Sequence, residues 1–168
     1  MNTQIKVAHE EASSIRFLKL YNDLNKSNLG FVRLGDPNKK EPDCICSANT
    51  AIELVGTYDN PYQARKIWND ARGKDNNRKP QLQLLTFENL EKEIAKKLEK
   101  LNNNNYDGFT GKVFLLCNLH SPLLIDSDVD TFITEYAPFK SDSYFERYFS
   151  EVWISWKSYD GWQIRKLE

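Results

Sequence analysis

Asp43 and Glu53 lie ten residues apart on either side of a segment of hairpin length, and two carboxylates brought together can hold a hard divalent cation. Between them, Cys44-Ile45-Cys46 and Ala51-Ile52-Glu53-Leu54-Val55 are β-type runs joined by Ser47-Ala48-Asn49-Thr50, a connection typical of hairpins. If Ser47-Ala48-Asn49 forms a three-residue loop, with Asn49 in the left-handed conformation that asparagine tolerates, Cys46 pairs with Thr50. Asp43 then falls opposite Glu53. A slip of one residue would set Glu53 opposite Cys44 and turn Asp43 to the other face, so the metal reading depends on register. A cation such as Mg²⁺ takes one or two carboxylates and keeps other positions for water and substrate phosphate. In phosphodiester hydrolysis it activates water and offsets the developing charge, and a nearby lysine would complete the set. A Pro-Asp pair also opens turns, and Glu53 also suits the solvated face of an alternating strand.

The other reactive side chains point to less chemistry. Cys44, Cys46 and Cys117 are odd in number and lack the paired spacing of a zinc site, so they read as reduced, buried thiols acting as small hydrophobes. His9 and His120 have no serine or cysteine partner at recognisable spacing, and alternation along one strand would send Cys117 and His120 to opposite faces. Arg65, Lys66, Arg72, Lys74, Arg78 and Lys79 follow the hairpin and could face a phosphate backbone, although solubility explains them equally well.

The elements needed to position the carboxylates are legible as an α/β order. Over 7–25, two adjacent helical stripes recur: Glu11, Ile15, Leu18 and Asn22 beside Glu10, Ser14, Phe17, Tyr21 and Leu24. A short Gly-bounded strand fits 28–35, before the charged loop 36–40. Asn60-Pro61 opens a helix ending near Gly73, a polar loop spans 74–80, and a short strand follows over 82–85. Leu90, Ile94, Leu98 and Leu101 mark the clearest helix, stopped by the run Asn102 to Asn105. Val113 to Leu119 is continuously apolar enough for a strand buried on both faces. Short helices fit 128–136 and 144–149, and a last hairpin, Val152 to Trp156 and Trp162 to Arg165, turns at Asp160-Gly161. The whole is expected to be one domain over 1–168, with a central mixed β-sheet flanked by helices.

Composition agrees with a folded chain of 168 residues: 40% hydrophobic, with four Trp, eight Tyr and nine Phe. A formal charge of −1 gives no global field toward nucleic acid or membrane, so any polyanion site must be local. The N-terminal residues lack an apolar signal core and no run approaches the ~18 apolar residues of a membrane span, which makes a cytoplasmic protein the expectation.

A helix carrying Glu11, then Glu41-Pro42-Asp43, a turn, Ile52-Glu53-Leu54-Val55, a following helix and a later apolar strand together resemble the PD-(D/E)XK nuclease superfamily. The resemblance covers roughly residues 8 to 119, on a short motif. It implies a restriction-endonuclease-like fold and an endonuclease dependent on Mg²⁺, with Mn²⁺ as substitute. Duplex DNA is the implied partner, in restriction, repair or phage and mobile-element settings, with a homodimer as the implied assembly. It makes Asp43 and Glu53 the metal ligands and adds Glu11 as a catalytic residue, with Glu10 as competitor. Val55 stands where the family places its lysine, so the amine must come from elsewhere: Lys97, with Lys100 and Lys66 as rivals. Without that amine the same chain reads as a non-catalytic binding or immunity protein of nuclease fold, for which Trp156, Tyr159 and Trp162 would offer a contact surface.

Overall fold

The structure, a computed structural model, describes residues 3–58, 87–103, 106–120, 125–136 and 148–167. In chain order these form α1 (Thr3–Asn25), β1 (Phe31–Leu34), a 3₁₀ turn (Pro37–Lys39), β2 (Cys44–Cys46), β3 (Thr50–Tyr58), α2 (Phe87–Asn103), β4 (Lys112–His120), α3 (Asp126–Tyr136), β5 (Glu151–Ser158) and β6 (Gly161–Lys166). The segment expected to hold the Pro61 helix and the strand over 82–85, with all six cations of the flanking patch, lies outside the described residues. So does most of the helix expected over 144–149, whose last two residues, Tyr148 and Phe149, are not helical.

Six strands make one mixed sheet in the order β1-β2-β3-β4-β5-β6. β1 to β3 run antiparallel, β3, β4 and β5 are parallel, and β6 returns antiparallel. Because parallel neighbours need crossovers of one hand and the strand order never reverses, α2 and α3 fall on the same face. There Leu90, Ile94, Leu98 and Leu101 of α2 and Val129 and Phe132 of α3 pack on Ala51, Val55, Val113, Leu115 and Ile154. α1 covers the opposite face, where Phe17 and Leu18 meet Ile52, Phe114, Leu116 and Trp153. The result is a three-layer α/β arrangement. β4 lies between two parallel neighbours, and Val113 to Leu119 are all buried, which accounts for its unbroken apolar run.

Of the two stripes on α1, the one through Glu10, Ser14, Phe17 and Tyr21 turns toward the sheet, joined by Ser13 and Leu18, while Ile15 and Leu24 are exposed. The helix closes on Lys26, whose φ of 53° is left-handed, with Ser27 N–H reaching back to Asn22 O at 3.2 Å. Asn22 then fastens β1 by donating to Leu29 O at 2.8 Å and accepting from Leu29 N–H at 2.9 Å. The final hairpin turns one residue earlier than expected. Tyr159 and Asp160 form the turn, and Gly161, at φ 113°, is the first residue of β6, paired with Ser158. A positive φ immediately after the turn is the reason glycine stands there.

Candidate functional site

The register on which the carboxylates depend is Cys44 with Ile52, Ile45 with Ala51 and Cys46 with Thr50. Ala48 and Asn49 both adopt left-handed backbones, at φ 53° and 50°, so the loop uses two such residues where one was expected. Continued by one residue, this pairing sets Asp43 against Glu53, and by two it sets Pro42 against Leu54. Pro42 has no N–H to give to the ladder, and β2 stops. The Leu54 N–H that would have sought a strand partner donates instead to Asp43 Oδ2 at 2.8 Å, while the Asp43 N–H donates to Glu53 Oε2 at 3.1 Å. Asp43 therefore serves as a side-chain substitute for a missing rung.

The segment before Asp43 is held from three sides. Gly35 N–H donates to Asp43 O at 2.8 Å, and Gly35 lies so close to Pro42 that a Cβ there would be 1.7 Å from Pro42 O. Gly108 approaches from the other side, with a Cβ position 2.0 Å from Lys39 O. Glu41 binds Arg33 through both carboxylate oxygens, at 2.6 and 2.9 Å, and accepts the Asp36 N–H at 2.8 Å. The Arg33 guanidinium, followed by that backbone donor, holds the Glu41 carboxyl down to about 2. Glu41 is thus the clamp of the Glu-Pro-Asp segment.

Glu53 points to the α2 face and is 6% exposed. Lys97 descends from α2 and donates to Glu53 Oε1 at 2.5 Å, with side chains 15% and 8% exposed respectively. Burial, then the neighbouring Asp43 charge, raise the Glu53 carboxyl above its ordinary value against the pull of Lys97. Burial works against the Lys97 ammonium, but Glu53 and Asp43 outweigh it and its pKa lies above the ordinary lysine value. The amine is held charged. Val55 itself is 5% exposed and packs in the core shared with Leu90 and Ile94, a place where a lysine head group would be stranded.

From the α1 side the third carboxylate is Glu10. Burial and then the Asp43 charge raise its carboxyl, with Lys6, 3.3 Å away, opposing them. Glu11, the residue favoured from the family pattern, is exposed, because α1 turns the stripe of its neighbour Glu10 toward the sheet. Lys100 lines the same cleft as Lys97, and Lys66 lies outside the described residues. Tyr106 went unnoticed in the sequence: burial, then Glu53 and Asp43, push its phenol well above the usual value, which marks it as a neighbour of the pair. Nothing in its local sequence signals that position, since the loop bringing it there packs against residues nearly seventy positions earlier, as in the Lys40 to Asp107 ion pair at 2.9 Å.

Chemically, the arrangement is a set of hard oxygen donors from three elements around one buried ammonium. Each of two carboxylates, Glu10 and Glu53, is disfavoured as an anion by burial and by Asp43, the condition that a cation relieves. Among the described residues, no group of three or more His, Cys, Asp or Glu side chains stands in the spacing of a formed metal centre. The thiols offer no alternative: burial pushes Cys44 and Cys117 up to about 12 and Cys46 to about 11, and all three are free and buried. His9 and His120 meet each other, with ring centroids 5.9 Å apart and the ring planes tilted by 40°. Trp156 is buried and Trp162 lies under the Arg16 guanidinium, 3.4 Å from the ring centroid, leaving only Tyr159 of the expected contact surface fully exposed. No described helix is long and apolar enough to cross a membrane. Comparison with protein-family models, curated proteins and solved structures gives no match.

Proposed function

We propose that this chain is a divalent-metal-dependent endonuclease that hydrolyses nucleic-acid phosphodiester bonds, with duplex DNA as its substrate and the restriction-endonuclease-like plan of the PD-(D/E)XK superfamily. The observation that carries the reading is the Lys97 ammonium on Glu53, 2.5 Å away, reached from α2 where residue 55 offers no amine. It supports an active site in which the lysine has moved from strand to helix while its charge returns to the same carboxylate.

Asp43 and Glu53 would hold Mg²⁺ or Mn²⁺, with Glu10 as a third oxygen donor, and the cation supplies Lewis acidity and charge opposite the scissile phosphate. Asp43 is oriented for this by its bond to the Leu54 N–H, which fixes its Oδ2. Lys97, kept protonated by Glu53 and Asp43, stabilises the negative charge that builds on the phosphoryl oxygens. A cation held by Glu53 would compete with Lys97 for that carboxylate, and the Lys97 ammonium would then be available to the phosphate. The test is cleavage of duplex DNA with Mg²⁺ or Mn²⁺ by wild type, Asp43→Ala and Lys97→Ala. The expectation is loss of cleavage in both variants, and equal cleavage by wild type and Asp43→Ala refutes the reading. Dimerisation on the duplex belongs to the same proposal and is read by sedimentation with and without DNA.

The closed Lys97–Glu53 pair also favours a second reading, a nuclease-fold binding or immunity protein in which the pair is structural. That protein binds no Mn²⁺ through its carboxylates. Calorimetric Mn²⁺ binding that disappears in Glu53→Ala removes this alternative.

A further inference from the structure

Beside the carboxylates, an open cleft of about 240 Å³ runs between the edge of β3 and α2. Leu54, Val55 and Gly56 form its floor, and Glu93, Lys96, Lys97 and Lys100 form its wall. The wall residues recur at the spacing of one helix face, so their head groups converge by construction. Positive charges outnumber negative ones in the lining by two. They are not equivalent. Lys97 serves Glu53, and Lys96 is taken by Glu93 at 2.8 Å. Lys100 is exposed and lines the cleft, and among the described residues no carboxylate pairs with it.

The floor adds to this. β2 begins only at Cys44, so on that side the β3 edge beyond Ile52 has no strand beside it among the described residues. The Leu54 N–H faces that side, toward Asp43, and the two-residue period of a strand turns the Gly56 N–H the same way. Gly56, which lines the cleft, places no side chain over this stretch of backbone. Backbone donor and ammonium groups around one concavity select an anion. Lys100 lies three residues beyond Lys97, about 4.5 Å further along the helix axis, so the two ammonium groups can serve neighbouring phosphates of one strand.

We propose that this cleft binds a second phosphate of the nucleic-acid strand, next to the one at Glu53 and Lys97, with Lys100 as its principal contact. The proposal rests on the nuclease reading for the identity of the strand. The phosphate is either an internal diester or a terminal monoester, and the two sources are separable.

The test is equilibrium binding of a fluorescent single-stranded thymidine oligomer of about a dozen residues, with and without a 5′-phosphate, in Ca²⁺, a hard cation that offsets the carboxylate charge. Wild type is compared with Lys100→Ala and with Lys157→Ala, an exposed lysine of β5 that removes the same charge elsewhere. Lys100→Ala is expected to weaken binding about tenfold, as for a lost charged contact, and to reduce the salt slope by about 0.7. Lys157→Ala is expected to leave both unchanged. An effect confined to the phosphorylated oligomer assigns a terminal phosphate, and one shared by both oligomers assigns an internal diester. Equal behaviour of the two lysine variants, or no binding by wild type, overturns the subsite. Cleavage in Mn²⁺, followed in parallel, separates the two claims. A Lys100 effect without cleavage leaves the subsite and removes the nuclease, whereas cleavage that Asp43→Ala abolishes, with binding that Lys100→Ala leaves intact, does the reverse.

Discussion

Replacing Lys97 by methionine removes a positive charge but keeps most of the side-chain volume, and so isolates the electrostatics of the site. The ammonium stands 2.5 Å from Glu53 Oε1, in a pair whose side chains are 15% and 8% exposed. At an effective dielectric constant of about 20, that separation corresponds to roughly 7 kcal/mol of attraction, against which the desolvation of both ions must be set. The net worth of the intact pair is therefore small. The cost of breaking it is not, because Glu53 would remain buried beside Asp43 with its counter-charge gone. A loss of about 3–5 kcal/mol is expected for Lys97→Met, which for a chain of this size is a fall in Tm on the order of 10 °C. Adding Glu53→Gln should recover most of that loss, since the amide still accepts from the Asp43 N–H. Urea unfolding of wild type, both single variants and the double variant gives the coupling directly. Mn²⁺ supplies a second arm. A cation that takes over from the ammonium stabilises Lys97→Met more than wild type, by up to about 2.7 kcal/mol at a hundredfold excess over Kd. A cost below about 1 kcal/mol for Lys97→Met, or a double variant that loses the sum of the singles, refutes the account of the buried pair.

Four further outcomes follow from the same geometry. Glu10→Gln should lower Mn²⁺ affinity or cleavage by about 10–100-fold while Glu11→Gln leaves both unchanged, and the reverse ranking would return the role to Glu11. Burial, with His9 and Arg16 adding to it, holds His120 down at about 4. Below about pH 6.5 the unfolded chain takes up a proton that the folded chain refuses, so stability should fall by about 3 kcal/mol as the pH drops toward 4. His120→Phe should flatten that decline in denaturation midpoint, and an unaltered slope would count against it. Glu41 has the opposite placement: its carboxyl, held to about 2 by Arg33, contributes stability above the ordinary carboxylate range that is lost as pH falls toward 2. Thermal melts of Glu41→Gln should lack that acid limb. Gly35→Ala brings a methyl group against Pro42 O and should cost about 1–3 kcal/mol, with weaker Mn²⁺ binding because the same backbone carries Asp43. Wild-type metal affinity in that variant would mean that Asp43 is positioned independently of Gly35.

The strands among the described residues were legible because their signals are local. The hairpin from Asp43 to Glu53 follows from β-type runs, a short polar connection and one asparagine suited to a left-handed backbone, and its register is the one those residues favour. β4 announces itself as an apolar run that only two-sided burial permits. The choice between Glu10 and Glu11 was harder, because α1 carries two adjacent stripes and its polar buried residues, Ser13 and Ser14, blur the apolar one. Rotation of a helix by one residue is decided by Phe17 meeting Phe114 and Trp153, contacts across almost the whole chain. Lys97 was one of three amines within reach on paper, and only the packing of Leu90, Ile94 and Leu98 on the sheet fixes which lysine of α2 points inward. Tyr106 and the clamping role of Glu41 depend on loop contacts with no periodicity to betray them.

The rung that Asp43 replaces has a consequence for solubility as well as for chemistry. An open strand edge with a bare N–H invites a strand from another molecule, and proteins commonly guard such edges with a charge that points along them. By taking the Leu54 N–H with a carboxylate, Asp43 guards the β3 edge at the point where β2 leaves it. Losing the aspartate would be penalised whether or not the chain is a catalyst, so an aspartate at this place in the fold speaks for a guarded edge before it speaks for turnover. The same holds at the bench. Asp43→Ala would unguard an edge while it removes the carboxylate, whereas Asp43→Asn keeps an acceptor for Leu54 and removes only the charge, which makes the asparagine variant the cleaner probe of what the carboxylate does.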